Sequence, residues 1–376
     1  MVKQDRLYFI LLFAAGIICR LILLPSTPVL ENDYWRYLWD GRVLASGVNP
    51  FTFAPNDSAL DFLNTPYRNQ IGWPEFSTIY PPVAQLFFTF SHIVFGDSLF
   101  GLKIVFIFFD LGIWWILVRW LESTNRNKNL SFLYFLNPLV LKEVSNSAHL
   151  DTIVVFFTFL SVYLLSQKRM FLRAWVTLAL ATLTKLFPII LVPLFIKLDN
   201  RWKKNLTVFF LVVLLFYIPF IGAGLQVFGG TKAYATYWQF NAGVFHLLDL
   251  VLQLFSDNAL TTKMAVGVIF SVILYRRTKT LNHAHQLPLA TLQIIGAMLI
   301  LSPVVDAWYV LWVLPLACLT RHTPWIVFSY LVVASYSWFY SKDWAPYFKI
   351  AEYTIFFALT GWWHLNNRQN KLETHL

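Results

Sequence analysis

Charged side chains that could take part in acid–base chemistry are concentrated in one stretch, E-N-D-Y-W-R-Y-L-W-D-G-R, from Glu31 to Arg42. Only 13% of the chain is charged, yet these twelve positions carry three carboxylates and two guanidinium groups. An ionised carboxylate can accept a proton or a hydrogen bond from a hydroxyl group. The stretch is therefore the first candidate for a reaction site, and the elements around it decide how its carboxylates are presented.

The same stretch has the local signals of a short helix. Asn32 is a favourable N-cap residue and Gly47 suits the position just beyond a helix C-terminus, so residues 33–46 are predicted to be helical. In the first turn, an acidic residue is stabilised as an anion by the helix dipole. The competing interpretation is a solvated interfacial helix whose charges pair with one another and whose tryptophans lie among lipid headgroups. A spacing of three, four and seven places four polar side chains on one face of the helix: Asp33, Arg36, Tyr37 and Asp40.

The composition is typical of a membrane protein. Hydrophobic residues make up 58% of the chain and include 36 Phe and 16 Trp, and the mean hydropathy is +0.58. We attribute the net charge of +10 to membrane topology rather than to nucleic-acid binding. Cys19 and Cys318 both lie in apolar stretches, so they indicate neither a disulfide framework nor a zinc site.

Apolar segments of roughly membrane-spanning length, about 20 residues or somewhat less, recur along the chain. They predict an all-α, polytopic transmembrane bundle of about 11–13 helices or half-helices, in one domain over residues 1–376. The first segment, 7–24, is interrupted by Arg20 and lacks a small-residue cleavage site, so we predict a retained helix rather than a signal peptide. The others are 83–95, 99–120, 130–141, 152–165, 174–196, 206–221, 263–275, 287–301, 308–319, 325–340 and 350–363.

Basic clusters assign the faces of this bundle. Because cytoplasmic loops are rich in Lys and Arg, segments such as 197–204 and 276–279 are predicted to be cytoplasmic. The large first loop, 25–79, with short interfacial helices, then lies on the outer face. Arg126 and Lys128 also have cytoplasmic character, which requires one segment between 83 and 120 not to cross fully. The segment 174–196 starts and ends on the basic side, so it is predicted to form two half-helices that meet at Pro188.

Further polar residues fall on or near the predicted outer face. Ionisable side chains at membrane level usually face a cavity or a partner, which makes them candidates for a site. A buried network that only joins helices would explain Glu143, His149 and Asp151 equally well. The aromatic run before Asn241 suits the interfacial belt at least as well as it suits stacking on a sugar. Asp306 is the last member of this group.

Seven short blocks in a fixed order, covering most of the chain, resemble a known family. Together they resemble the GT-C superfamily of integral-membrane glycosyltransferases. More narrowly, the chain is similar to bacterial polyprenyl-phosphate-mannose-dependent mannosyltransferases, and distantly to GPI mannosyltransferase I of eukaryotes. The blocks are N-D-Y-W-R-Y-L-W-D-G-R-V-L-A-S-G-V-N-P-F, Tyr80-Pro81-Pro82, Asn137-Pro138, Glu143 with Ala148-His149-Leu150-Asp151, Thr184-Lys185-Leu186-Phe187-Pro188, Phe240-Asn241-Ala242-Gly243, and Ser302-Pro303 followed by Trp308-Tyr309 and Pro315.

The resemblance implies a hexosyltransferase of EC 2.4.1 type in the cell envelope. It implies neither a cofactor nor a metal ion. Such an enzyme moves a hexose, with mannose expected, from a polyprenyl-phosphate sugar to a glycolipid or lipid-linked glycan. It works with inversion at the anomeric carbon, on the non-cytoplasmic side of the membrane. In bacteria the expected membrane is the inner (plasma) membrane. Asp33 matches the acidic loop residue that acts as the general base in these enzymes.

The resemblance and the residue types together give two further sets of site residues. The cations that could hold the departing phosphate are Arg36, Arg42 and Lys185; a lysine that only extends toward the membrane surface is an equally good interpretation of Lys185. The residues that could contact the acceptor or the sugar are Asp40, Tyr80, Glu143, His149, Asp151, Asn241, Asp306, Trp308 and Tyr309.

Asp306 departs from the related enzymes, which commonly read His-Pro-Trp-Tyr where this chain reads Asp306-Ala307-Trp308-Tyr309. A carboxylate cannot act as a cation, so the donor geometry and the identity of the sugar are open at this position. The competing function is a transporter or flippase of a sugar-lipid, but duplicated halves are not evident in the sequence. A glycine-rich nucleotide loop and a His-Glu-x-x-His motif are both missing, which argues against a nucleotide-sugar domain and a zinc protease.

Overall fold

The computed structural model describes residues 2–167, 170–255 and 259–373. Helices make up 77% of the structure, and the described residues contain no strand beyond an isolated bridge between Phe240 and Val304. The predicted all-α fold is confirmed.

The helices follow one another along the chain with short connections. The α-helices are α1 (Val2–Leu23), α2 (Asp33–Ala45), α3 (Pro82–Phe95), α4 (Leu99–Ser123), α5 (Phe132–Phe135), α6 (Pro138–Val140), α7 (Asp151–Ser166), α8 (Phe171–Thr182), α9 (Val192–Leu198), α10 (Trp202–Tyr217), α11 (Gly229–Tyr237), α12 (Val244–Leu252), α13 (Ala259–Thr280), α14 (Leu287–Leu301), α15 (Leu314–Thr320), α16 (Thr323–Leu331) and α17 (Ala345–Glu373). Short 3₁₀ helices span Ser58–Leu63, Arg68–Gln70, Lys128–Ser131, Phe187–Leu191, Ile218–Phe228, Ala284–Gln286, Ala307–Trp312 and Val332–Phe339, and a π-helical segment spans Leu141–Asn146.

Several helical segments have the length and apolar character needed to cross a membrane. Among the described residues four are long enough by themselves, namely Arg6–Leu23, Leu99–Ser123, Trp202–Tyr237 and Ala284–Leu301. Four shorter apolar helices, Pro82–Phe95, Asp151–Ser166, Phe171–Thr182 and Phe187–Leu198, lie in other segments that were predicted from the sequence.

Other predicted segments are interrupted, and proline explains two of the interruptions. The segment 130–141 breaks into short pieces on either side of Asn137-Pro138, and 308–319 is divided between a 3₁₀ helix and α15, whose second residue is Pro315. A proline lacks the N–H group that a helix interior requires, but it fits the first turn of a new helix. The predicted break in 174–196 is confirmed, although it begins at Leu183, before Pro188. Helices α11 and α12 were missed, because each has only nine residues, too few to cross a membrane.

The chain packs as two compact units, each made of two separate stretches. The first contains Met1–Ile116 and Val140–Trp238, and the second contains Leu117–Leu139 and Gln239–Leu376. The prediction of one domain stays a prediction.

In the first unit, α2 packs closely against α3. A Cβ atom added to Gly41 would lie 2.5 Å from the carbonyl oxygen of Phe88, so only glycine allows this approach. Next to this contact, the ring of Tyr37 stacks on Phe88 with a centroid distance of 4.7 Å and meets Tyr80 edge-on at 5.2 Å. The contact surface therefore fixes the position of α2, which carries the predicted base.

Helix α1 is tied to α4 in the same unit by buried charges. Nε of Arg20 donates to Asp110 at 2.6 Å, and both side chains are almost completely buried. Nζ of Lys103 donates to the carbonyl groups of Leu23 and Leu24 at 3.3 Å, at the C-terminal end of α1. An ammonium group stabilises such unpaired carbonyl groups. These contacts set where the chain leaves α1 and enters the large loop.

The second unit is built on helices α12–α17. Gly296 of α14 lies against Trp325 of α16, since an added Cβ would be 2.8 Å from that ring. Asn241 adopts a left-handed φ of +46°. Its carbonyl oxygen accepts a hydrogen bond from the hydroxyl group of Tyr353 at 2.9 Å, which anchors the segment before α12 to α17.

Candidate active site

Asp33 is the first residue of α2, and the local sequence explains why the helix begins and ends where it does. The side-chain amide of Asn32 donates to the carbonyl oxygen of Gln70 at 3.3 Å instead of capping α2. Asp33 supplies the negative charge that the first turn favours. The helix ends at Ala45, and Gly47 follows with a φ of +79°. The predicted helix 33–46 is therefore confirmed to within one residue.

The carboxylate of Asp33 lies near His149, whose other ring nitrogen faces Glu143. Nδ1 of His149 lies 3.9 Å from Oδ2 of Asp33, and Nε2 of the same ring lies 3.4 Å from Oε2 of Glu143. The side chains of His149 and Glu143 are fully buried, whereas 39% of the Asp33 side chain is exposed. Asp33 is thus the member of this group that a substrate hydroxyl group can reach.

Irregular backbone brings His149 to this place. The residue follows the π-helical segment Leu141–Asn146, and its backbone N–H donates to the carbonyl oxygen of Glu143 at 2.9 Å. Ala148, directly before it, has a φ of +58°, a conformation that residues other than glycine rarely adopt. Strained backbone of this kind is often found at functional sites.

Lys142 balances the negative charges of two glutamates near His149. Its ammonium group forms ion pairs with Glu31 and, at 3.3 Å, with Glu143. Glu31 also accepts a hydrogen bond from Oγ of Ser147 at 3.1 Å. Glu31, Glu143 and His149 have ligand-type atoms within 4.8 Å of one another, so this is where a metal ion could be held. Lys142 already forms an ion pair with both of these carboxylates.

A second ion pair borders the cluster. Nζ of Lys185 donates to Oδ1 of Asp151 at 2.7 Å, with Asp151 fully buried and the Lys185 side chain 17% exposed. Asp151 is the first residue of α7, whereas Lys185 lies in the non-helical break between α8 and the 3₁₀ helix Phe187–Leu191. The break in the helix therefore allows a charged side chain to reach the site.

These surroundings raise the pKa of Asp33 to about 6. Loss of water around the carboxylate is the main cause of the higher pKa, and the negative charges of Asp151 and Glu31 add to it. The charge of Lys185 and a hydrogen bond from Tyr37 act in the opposite direction and hold the pKa down. Asp33 is therefore a stronger base than an ordinary aspartate and is still ionised at neutral pH.

His149 has the opposite shift. Burial, together with the positive charges of Lys142 and Lys185, keeps the pKa of His149 well below its usual value of 6.5. The imidazole ring is therefore neutral at pH 7. The distance of 3.9 Å to Asp33 is too long for a hydrogen bond, so the neutral ring borders the carboxylate without adding a charge beside it.

Arg36 and Asp40 form a network one turn further along α2. Nε of Arg36 donates to Oδ1 of Asp40 at 2.9 Å, and Nη2 of Arg36 donates to the carbonyl oxygen of Phe76 at 3.0 Å. The other oxygen of Asp40 accepts hydrogen bonds from Thr78 at 2.6 Å and from Gln85 at 3.1 Å. Asp40 is only 2% exposed, so its contacts hold Arg36 and the loop in place.

Arg42 lies away from Asp33, at the other end of α2. The two are nine positions apart, which corresponds to about 13 Å along a helix axis. Nη1 of Arg42 donates to Asp97 at 2.8 Å and Nε donates to the carbonyl oxygen of Leu63 at 3.2 Å. Nδ1 of His92 lies 2.7 Å from the same Asp97 carboxylate. These contacts join the end of α2 to the turn between α3 and α4.

The remaining predicted site residues belong to the second unit. Asn241 donates to Glu352 at 2.7 Å. Asp306 directly precedes the 3₁₀ helix Ala307–Trp312, and its carbonyl oxygen accepts a hydrogen bond from the N–H group of Tyr309 at 3.0 Å. The ring of Tyr309 stacks on Trp312 with a centroid distance of 4.2 Å and meets Trp308 edge-on at 6.0 Å.

The structure thus brings together one part of the predicted set. Five of these residues lie close together in the first unit: Asp33, Glu143, His149, Asp151 and Lys185. Tyr80 lies next to them, where it contacts Tyr37. Two residues of this unit were not in the predicted set although they complete its charge pattern: Glu31 and Lys142. The sequence signals that could have found them are the acidic residue directly before Asn32-Asp33 and the Lys-Glu pair at 142 and 143.

Comparisons with known proteins assign the family. No curated protein sequence matches the chain. Residues 14–199 match the family model described as alpha-(1->6)-mannopyranosyltransferase, N-terminal domain. The matched range begins within α1 and contains the large loop and the residues around Asp33, including Glu143, His149, Asp151 and Lys185. Together with its candidate membrane-spanning helices, this match shows that the chain belongs to the alpha-(1->6)-mannopyranosyltransferase family of membrane glycosyltransferases, which transfer mannose.

Proposed function

We propose that the protein transfers mannose from a polyprenyl-phosphate-mannose donor to a hydroxyl group of a glycolipid or lipid-linked glycan, with Asp33 as the general base. The observation that carries this proposal is the position of Asp33. It is a partly exposed carboxylate with a raised pKa, next to the Lys185–Asp151 ion pair, within the range that matches the mannosyltransferase family.

The proposed reaction is an inverting displacement at the anomeric carbon. Asp33 takes the proton of the acceptor hydroxyl group while that oxygen attacks the carbon from the face opposite the phosphate. The bond between the carbon and the phosphate oxygen breaks, and its electron pair leaves with polyprenyl phosphate. One carboxylate is sufficient for this proton transfer, because the phosphate is a good leaving group once its charge is stabilised.

Lys185 is the best placed cation for the departing phosphate. Its charge acts on Asp33, and its side chain is 17% exposed, so an incoming phosphate group can share the ammonium group with Asp151. Arg36 is held by Asp40 and by the carbonyl oxygen of Phe76; it contributes a fixed positive charge nearby. For Arg42 we propose a positioning role, because it pairs with Asp97 at the far end of α2.

Acceptor and sugar contacts are proposed for the neutral groups around Asp33. Neutral His149 and the hydroxyl group of Tyr80 can donate or accept hydrogen bonds without adding charge. Asn241, Asp306, Trp308 and Tyr309 belong to the second unit, and their roles as sugar or acceptor contacts stay predictions from the sequence. We place the reaction on the non-cytoplasmic face of the membrane, because the basic segments 197–204 and 276–279 mark the opposite face.

The test is transfer of radiolabelled mannose from polyprenyl-phosphate-mannose in membranes that contain the protein. We expect Asp33→Asn to lower the rate by about 10²–10⁴-fold, the usual contribution of a positioned base. The matched control is Asp61→Asn, which removes an acidic residue of the same loop whose side chain is 70% exposed; it should retain activity. Full transfer by Asp33→Asn would disprove the role of Asp33. Movement of a sugar-lipid across liposomes without any transfer would favour the transporter function instead.

A further inference from the structure

A cavity of about 320 Å³ lies among α12, α13, α14, α16 and α17 of the second unit. None of its lining residues is among the predicted site residues. The volume falls within the range of small-molecule pockets, about 300–1,000 Å³. The cavity is therefore large enough for part of a lipid.

The cavity is lined by apolar side chains along most of its length and by polar side chains at one end. One face of α14 contributes Gly296, Ala297, Ile300 and Leu301, whose spacing places them on a single stripe. On α17, Phe356, Thr360 and His364 are four residues apart and follow the same wall from apolar to polar. An elongated apolar cleft with polar groups at one end matches the shape and chemistry of a lipid.

Basic and aromatic groups collect at the polar end. Arg277 lies in the last turn of α13, in a run that also contains Arg276 and Lys279. Within the described residues, the guanidinium group of Arg277 makes no ion pair with an acid. At the same end, the ring of Trp363 lies tilted against that of His322 with a centroid distance of 4.4 Å, and 55% of Trp362 is exposed. Tryptophans beside basic residues at helix ends are typical of the headgroup level of a membrane.

His322 provides an independent sign of a ligand. The residue is only 5% exposed, and in the part of the chain that the structure describes its Nδ1 atom has no hydrogen-bond partner. Burial lowers the pKa of His322 to about 4, so the ring is neutral at pH 7 and can donate one hydrogen bond. A buried polar atom without a partner is costly unless something binds to it.

We propose that this cavity binds one anionic glycerophospholipid, with its phosphate held by Arg277, His322 and His364 and an acyl chain along the apolar stripe of α14. Basic pockets between membrane helices recognise anionic headgroups by charge, and a zwitterionic lipid lacks the net negative charge that Arg277 favours. The site is separate in its residues from the proposed reaction at Asp33, and it does not depend on it.

The test uses the purified full chain in a nonionic detergent, with lipid binding measured by native mass spectrometry and by the thermal shift that the lipid causes. We expect phosphatidylglycerol to bind about fivefold more tightly than phosphatidylcholine with the same acyl chains, the factor that one nearby arginine provides. Arg277→Gln should remove that preference. The matched control Arg276→Gln removes the same charge one residue earlier, outside this lining, and should keep the preference.

Additional measurements separate the lipid from other phosphates and test the cavity itself. Ala297→Phe should fill the apolar part and weaken phosphatidylglycerol binding while the basic end stays intact. Equal binding of the two lipids, or unchanged binding by Arg277→Gln, would overturn the proposal. So would a site that prefers polyprenyl monophosphate while phosphatidylglycerol fails to compete, or one that inorganic phosphate fills equally well.

Discussion

At the scale of single residues, the chemistry of the first unit depends on how the environment of Asp33 balances opposing effects. Burial and two neighbouring carboxylates raise the pKa of Asp33, whereas Lys185 and Tyr37 lower it. A base whose pKa lies near the working pH combines a high ionised fraction with good proton affinity. The balance explains why an aspartate, ordinarily a weak base, can serve here.

We expect the transfer rate at limiting donor to fall as the pH drops below about 6, because protonation of Asp33, whose pKa is about 6, removes the base. Since Lys185 favours the ionised carboxylate, Lys185→Met should raise the pKa of Asp33 and move this acid limb to higher pH. The measurement is kcat/KM against pH for both proteins.

The control for that profile is Lys232→Met, which removes an exposed lysine of the same unit. It should leave the acid limb in place. An acid limb that stays fixed in Lys185→Met would mean that another group controls the pH dependence.

Much of this residue pattern could be predicted from the sequence, because short blocks such as Ala148-His149-Leu150-Asp151 keep chemically related residues together. The partner of each charge could not be predicted. Lys142 meets Glu31 across 111 positions of sequence, and Arg42 meets Asp97 across 55. Charge pairs of this kind depend on which helices pack together. The sequence alone therefore grouped Arg42 with the phosphate-binding cations, whereas its contacts lie at the other end of α2.

At the scale of helices, the site depends on α2 being held firmly although it lies in a loop. Its glycine contact with α3, the Asp40 network and the Arg42–Asp97 ion pair fix the two ends and one face of the helix. The caps of α2 could be predicted because they are local signals. The close approach at Gly41 could not, because it depends on the position of Phe88.

Gly41→Ala should destabilise the protein by about 1–3 kcal/mol, the usual cost of overpacking a close contact. The added Cβ would lie 2.5 Å from the backbone oxygen of Phe88, which cannot move as a side chain would. Thermal unfolding followed by tryptophan fluorescence measures the effect. For comparison, Gly267→Ala adds the same atom in α13 where nothing lies within 4 Å, and it should unfold at or slightly above the wild-type temperature. Equal stability of Gly41→Ala and wild type would show that α2 can shift freely.

At the scale of the whole molecule, hydropathy predicted an all-helical membrane protein correctly, but it could not predict where helices are interrupted. The breaks around 183–191 and the π-helical segment Leu141–Asn146 place Lys185, Lys142 and His149 at the site. Irregular backbone at such places is retained because the side chains and packing around it compensate its cost. Average hydropathy does not report that compensation.

The orientation of the chain can be tested by labelling single cysteines with a membrane-impermeant maleimide, after Cys19 and Cys318 are replaced by alanine. Asp61→Cys, in the predicted outer loop, should react only from the non-cytoplasmic side, and Lys279→Cys, in the basic last turn of α13, only from the cytoplasmic side. Labelling of both positions from the same side would contradict the assigned faces. Vesicles of known orientation provide the measurement.

The inventory of charges around the base has a further consequence for the proposed reaction cycle. Four carboxylates face two ammonium groups there, namely Glu31, Asp33, Glu143 and Asp151 against Lys142 and Lys185. When Asp33 accepts the proton it loses its negative charge in the same step in which the departing phosphate gains one, so the total charge of the pocket stays constant. Once the proton leaves Asp33, the restored carboxylate repels the doubly charged lipid phosphate. Deprotonation of the base would then drive release of the spent carrier and reset the site for the next donor.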